Sequence, residues 1–193
     1  MLRRLYDWVM DLAGHRHAER LLAAVAFIES SVFPIPPDVM LMPMAYARPD
    51  RAFRYAAVAT VASVLGGLAG YAIGYFLFET VGRAILDFYG LSQEFETFAL
   101  KFNEYGAAIV FFAGLTPFPY KVITIASGVT GLNLVAFIAA SIAARGLRFF
   151  LVCGLIYWFG PPVRAFIERN LGWMTLIFGV LLVGGFLAAG YLL

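Results

Sequence analysis

Five ionisable residues stand inside long apolar stretches of this sequence: Glu29, Asp38, Lys121, Arg145 and Arg148. A charge placed in hydrocarbon costs about 2.5 to 3.5 kcal/mol even on lenient insertion scales, so five of them require mutual pairing or a wet cavity. Two acids against three bases leave one net positive charge, a balance that suits a phosphate-like anion better than a cation. Arg145 and Arg148 are three apart and share a face of any helix that carries them. Thr116, Thr124 and Ser127 could supply neutral donors. The plainer alternative is that the acids and bases only neutralise one another and lock the fold.

Other chemistries find little support. No histidine or second carboxylate stands beside Ser127 to activate it, so a membrane hydrolase is not expected. His15 and His17 lie in the polar N-terminal segment, and the single Cys153 sits in an apolar run, where it reads as packing. No metal or cofactor motif appears in any apolar stretch. The formal charge of +2 is small and scattered, which argues against a nucleic-acid partner.

What must position these residues is a bilayer protein. Of 193 residues 62% are apolar or aromatic and 13% charged, more apolar surface than a soluble domain of this size can hide. Crossing hydrocarbon takes roughly 20 residues. The segments 53–78 and 171–193 meet that, and 132–159 does so while carrying both arginines. Two further stretches, 21–47 and 105–131, are each cut by prolines: Pro34, Pro36 and Pro37 in the first, Pro117 and Pro119 in the second. Proline removes a backbone donor and clashes with the preceding turn, so each half is a short helix that reaches the bilayer middle without crossing it. Each stretch is expected to form a re-entrant hairpin whose tip faces an internal site, because irregular backbone at that depth needs protein or water around it.

The two halves match. Pro34 and Pro36 correspond to Pro117 and Pro119 at one constant offset, Asp38 falls opposite Lys121, and a long helix follows each hairpin. The expected fold is therefore an all-α integral membrane protein, one domain over 1–193. It comprises an interfacial helix over 1–20, a first hairpin plus helix over 21–78, an outer interfacial segment over 79–104, a second hairpin plus helix over 105–159, and a terminal transmembrane helix over 171–193. Arg3, Arg4, Arg16 and Arg20, with Arg48, Arg51 and Arg54, place the N-terminus and the loop after the first hairpin in the cytoplasm, and the acidic segment 79–104 outside. Asp7 and Asp11 soon follow the basic start, so the N-terminus is expected to be retained. The repeats then have opposite orientation, as in many secondary transporters. Gly66, Gly70 and Gly74 form a small-residue stripe, repeated more weakly by Gly184 and Ala188, for close packing on neighbouring helices or on another subunit of a homo-oligomer.

FIESSVFPIPPDVML, within 27–78, and AGLTPFPYKVITIASGV leading to ARGLRFFLV, within 111–152, resemble the DedA family of bacterial inner-membrane proteins, in particular its YqaA-like branch. That family shares the VTT, or SNARE-associated, domain with eukaryotic lipid scramblases. The resemblance implies movement of phospholipid or polyprenyl phosphate across the inner membrane, with essential acids in the first hairpin that map onto Glu29 and Asp38. Better-known members carry paired arginines within the second hairpin, whereas Pro119, Tyr120 and Lys121 stand there in this sequence and the arginines follow in the next helix. The expected function is a flippase-like or scramblase-like carrier of an anionic lipid headgroup, with Glu29 or Asp38 able to take a proton and couple transport to the proton gradient. The alternatives are a proton-coupled carrier of a small solute and a non-catalytic membrane assembly protein.

Overall fold

The structure, a computed structural model, describes residues 17–31, 36–116 and 118–160. The expected N-terminal interfacial helix, Pro34, Pro117 and the expected terminal helix over 171–193 fall wholly or largely outside the described residues.

Every regular element described is helical. Helix α1 (Ala18–Ser31) is rich in alanine and leucine, and it ends where the Ser31 hydroxyl turns back to donate to the carbonyls of Phe27 and Ile28. Helix α2 (Asp38–Ala47) starts as soon as the prolines stop: the carbonyls of Pro36 and Pro37 accept its first backbone N–H groups. After a single 3-10 turn (Pro49–Arg51) comes α3 (Ala52–Leu77), which runs on through one π turn (Phe78–Gly82) into α4 (Arg83–Tyr89). Gly90, with φ 67°, ends that run in the left-handed conformation glycine adopts freely. Then follow α5 (Ser92–Leu115), α6 (Tyr120–Val129) and α7 (Leu134–Gly160), the last capped by Asn133, whose Oδ1 accepts from the backbone N–H of Val135 and Ala136. The stretches Pro49–Tyr89, Ser92–Leu115 and Leu134–Gly160 are long and apolar enough to cross a membrane.

The boundaries differ from the sequence reading in one place. Segment 79–104 is not a separate element: its first part extends α3 through α4, and Ser92–Glu104 is the first half of α5. The physical reason is that no proline interrupts either run, so the helices continue until Gly90 on one side and Thr116 on the other. The first arm of the second hairpin is accordingly about 36 Å long, whereas α6, α2 and α1 measure about 15, 15 and 21 Å at 1.5 Å per residue.

Contacts fix the directions of the helices. Phe53 meets Tyr157 at 5.4 Å, Ser63 bonds Arg145, and Tyr71 meets Phe137 at 5.3 Å, so α3 and α7 run antiparallel along their length. Arg54 pairs with Glu19 and Gly66 lies on Phe27, so α1 runs parallel to α3; Asp38 pairs with Arg148 and Tyr46 lies near Gly160, so α2 runs parallel to α7. The first broken stretch is therefore a hairpin, both of whose ends lie at one end of the bundle. The second is built likewise with the long helices exchanged. Its arm α5 follows α7, through Gly106 on Leu132 and Gly114 on Ala144, while α6 follows α3. Each hairpin lays its first arm on its own long helix and its second arm on that of the other repeat.

Glycine makes the crossings close. A methyl added at Gly66 would overlap the Phe27 carbonyl, one at Gly74 the Ile125 carbonyl, and one at Gly128 the Tyr71 carbonyl. The stripe on α3 is thus occupied by α1 and α6 within the chain. Two apolar clusters flank the middle: Leu22, Leu41, Met44, Tyr55, Phe149 and Cys153 toward one end, and Val110, Tyr120, Leu132 and Phe137 toward the other. Gly74→Ala is expected to destabilise the purified protein by about 1–3 kcal/mol through overpacking. Gly146→Ala, whose new methyl would find Thr60 Cγ2 at an ordinary 3.8 Å, should melt at or above the parent's temperature. Thermal melting in detergent checks both, and equal melting of all three proteins would mean that the helices do not cross so closely.

Candidate functional site

Both hairpin tips end halfway along the long helices. Ser30, at the end of α1, reaches Ser63 near the middle of α3, and Thr116, at the end of α5, reaches Arg148 near the middle of α7. Helix ends leave backbone groups unpaired, and side chains can satisfy them. This is where the charged residues gather.

Arg145 is 2% exposed. Its Nη2 donates to Glu29 Oε2 and to Ser30 Oγ at 3.3 Å, and its Nε donates to Ser63 Oγ at 2.6 Å. The guanidinium carbon lies 4.8 Å from the ring centre of Tyr120 and 5.0 Å from that of Phe149. The surrounding groups are themselves tied: Ser30 and Ser63 share a hydrogen bond of 2.7 Å, and the Tyr120 hydroxyl donates to Ser141 at 2.5 Å. A buried guanidinium repays its desolvation only with close ionic and hydrogen-bond partners of this kind. The Glu29–Arg145 pair joins α1 to α7 and, through Ser63, to α3.

Arg148, one turn further along α7, is held less completely. Its Nη2 donates to Asp38 Oδ2 at 2.5 Å and its Nη1 to the Thr116 carbonyl at 3.0 Å. The side chains of Arg148 and Asp38 retain 23% and 18% of their exposure, and Asp38 Oδ1 is buried without a hydrogen-bond partner. Through these two bonds Arg148 touches both hairpin tips.

Of the expected site residues, the structure thus joins Glu29 with Arg145 and Asp38 with Arg148, and it places Lys121 in the first turn of α6. Thr116 contributes its carbonyl. The hydroxyls of Thr124 and Ser127 are turned onto backbone carbonyls, Thr124 to Ser30 and Lys121, Ser127 to Ile123. Sequence reasoning did not find Ser30, Ser63, Tyr120, Ser141 and Phe149, the shell that encloses Arg145. Small hydroxyls on helices pass as packing residues, and only the fold brings Ser63 to a partner 82 positions away. Among the described residues no group of histidine, cysteine and acid is placed to hold a metal ion.

Spanning helices, two proline-broken hairpins and a charged band between two apolar layers define an all-α membrane protein with an internal polar site. The VTT domain matches residues 22–158, and the chain belongs to that family, the DedA family of membrane proteins. It is 36% identical over 180 residues, 92% of this chain and 93% of the relative, to an uncharacterized protein of Haemophilus influenzae. To an uncharacterized protein HI0703 homolog of Histophilus somni it is 38% identical over 179 residues, 91% and 93% of the two chains. No solved structure matches.

The two pairs should respond differently to truncation. Arg145→Ala strands Glu29 in a buried shell and is expected to cost about 3–5 kcal/mol, whereas Arg148→Ala, at a partly exposed pair, should cost about 1 kcal/mol. Melting of both variants in one detergent decides this, and equal losses would mean that the two arginines are held alike.

Proposed function

We propose that this protein carries an anionic lipid or polyprenyl phosphate headgroup across the bacterial inner membrane while the lipid's tails remain in the bilayer. The supporting observation is the meeting of Arg148 with both hairpin tips at half the height of the long helices. A planar guanidinium matches a phosphate through paired donors, and the partial exposure of the Arg148 side chain leaves it reachable. Family membership supports a membrane protein of the transporter type. The opposed directions of α3 and α7 suit a carrier whose two repeats rock about a central site. Arg48, Arg51 and Arg54 at the start of α3 support a cytoplasmic N-terminus, and Glu94 and Glu96 an outer position for the turn after α4.

A scaffold reading draws its support from one specific observation, the complete enclosure of Arg145. It applies to the inner pair, and the two roles are compatible: one arginine holds the bundle and the other meets the ligand.

Reconstitution into liposomes with labelled lipids tests the proposal. Anionic lipid should cross faster than zwitterionic lipid, and Arg148→Lys should slow it about tenfold although charge is kept, because the paired donors are lost. Normal transport by the lysine variant, with no dependence on lipid charge, would replace this reading with that of a solute carrier or a scaffold. For orientation, a cysteine placed at Arg48 in a Cys153→Ala background should label from the cytoplasm alone, and one at Glu94 from outside alone. Labelling of both from one side would remove the crossing between them.

A further inference from the structure

Arg148 is the more exposed of the two arginines, yet both of its terminal nitrogens are already engaged, one by the Asp38 carboxylate and one by the Thr116 carbonyl. A phosphate-like group seeking the fork of Arg148 needs the space that Asp38 occupies. The arrangement around Asp38 is incomplete: a single Oδ2 contact is made and Oδ1 is buried with no partner. Arg145 presents the opposite case, with its donors divided among Glu29, Ser30 and Ser63 and aromatic rings of Tyr120 and Phe149 beside it. Of the two ion pairs, the outer one is therefore the one able to open while the inner one keeps α1, α3 and α7 together.

We propose that Asp38 is a built-in competitor for the anion, and that the Asp38–Arg148 pair is the closed form of the ligand site. Binding is then an exchange: a phosphate-like group takes Arg148, Asp38 leaves, and the α2 side of the first hairpin tip is released from α7 while its α1 side stays on Arg145. Because Arg148 also holds the Thr116 carbonyl, full engagement of its fork releases the second tip as well. Occupation of the site and freedom of the two tips are in this way one event, so the ligand itself unlocks the hairpins. Such a competitor lowers apparent affinity by the fraction of time the site is closed. This inference rests on the anion-carrying reading and adds to it the residue that sets ligand affinity.

Shared chemistry leaves two sources of the anion, a lipid headgroup or free phosphate, and the experiment separates them. Full-length protein in neutral detergent is titrated with inorganic phosphate, with short-chain phosphatidic acid and with short-chain phosphatidylcholine, and the binding midpoint is read from thermal shift. The same titrations are run on Asp38→Asn, on Asp38→Ser and on each combined with Arg148→Gln. The expected result is that phosphatidic acid binds the parent, that both Asp38 variants bind it about tenfold more tightly, as for a site closed about nine-tenths of the time, and that Arg148→Gln abolishes the gain. Tightening toward inorganic phosphate as well would make the headgroup phosphate sufficient; tightening toward phosphatidic acid alone would make the lipid the ligand. Unchanged or weaker binding in folded Asp38 variants overturns the competitor role while leaving the anion site intact. If neither the parent nor the variants bind any anion, the anion-carrying reading itself falls. If neither Asp38 variant folds, the pair belongs to the fixed scaffold and the exchange is refuted.

Discussion

A guanidinium carried into the middle of a helical bundle must be met on every side, and this requirement organises the rest of the structure. Arg145 has no water to turn to, so α1 brings Glu29 and Ser30, α3 brings Ser63, α6 brings Tyr120, and α7 folds Phe149 back along its own face. Four helices are committed to one side chain. An interaction of this kind contributes little net stability beside an apolar replacement, but it penalises any arrangement that leaves one of its members unpaired. It therefore favours one register, in which Ser63 of α3 and Glu29, close to where α1 stops, both come level with Arg145.

The stop is supplied by the prolines, and the close approach by glycine. A helix ending at mid-height exposes unpaired carbonyls, and the chain answers with side chains, Ser31 donating to Phe27 and Ile28, Thr124 donating to Ser30, and Arg148 donating to Thr116. Without Gly66, Gly74 and Gly128 the half-helices would stand off by a methyl group, and those polar contacts would lengthen beyond hydrogen-bonding reach. Breaks, small residues and buried charges are thus three parts of one solution.

Much of this was legible in the sequence, because the strongest signals were local. Prolines in pairs, apolar length, and ionisable residues within apolar runs each point to one physical consequence, and together they gave the all-helical membrane class, the family and the residues of both ion pairs. The extent of α4 and α5 was less legible. Acids spaced among phenylalanines read equally as an interfacial helix or as the outer turns of long helices, and only tertiary contacts such as Phe78 stacked on Phe95 at 4.6 Å distinguish them. Partner choice was not legible at all: five charges and several hydroxyls allow many pairings, and the separation of Arg145 from Arg148 into an enclosed and an open role depends on distances across the bundle.

The architecture is doubled, but its chemistry is not. By the offset that aligns the prolines, Asp38 corresponds to Lys121, while Arg145 and Arg148 fall opposite Ala62 and Leu65. Both long helices therefore have the same place in the fold, yet the cations sit on α7 and the glycine stripe on α3. Because each hairpin lays its second arm on the other repeat's long helix, Asp38 comes to lie along α7, where the arginines are, and Lys121 along α3, where they are not. A strictly symmetric sequence would place like residues in both positions and make the two hairpins equivalent. Here α2 brings a carboxylate to Arg148 and α5 brings a backbone carbonyl, so the two hairpins meet the same guanidinium through different groups. Equal folds with unequal contacts mean that the two repeats are not interchangeable: the arginines belong to α7 and the glycine stripe to α3, and the pseudo-symmetry ends at the side chains.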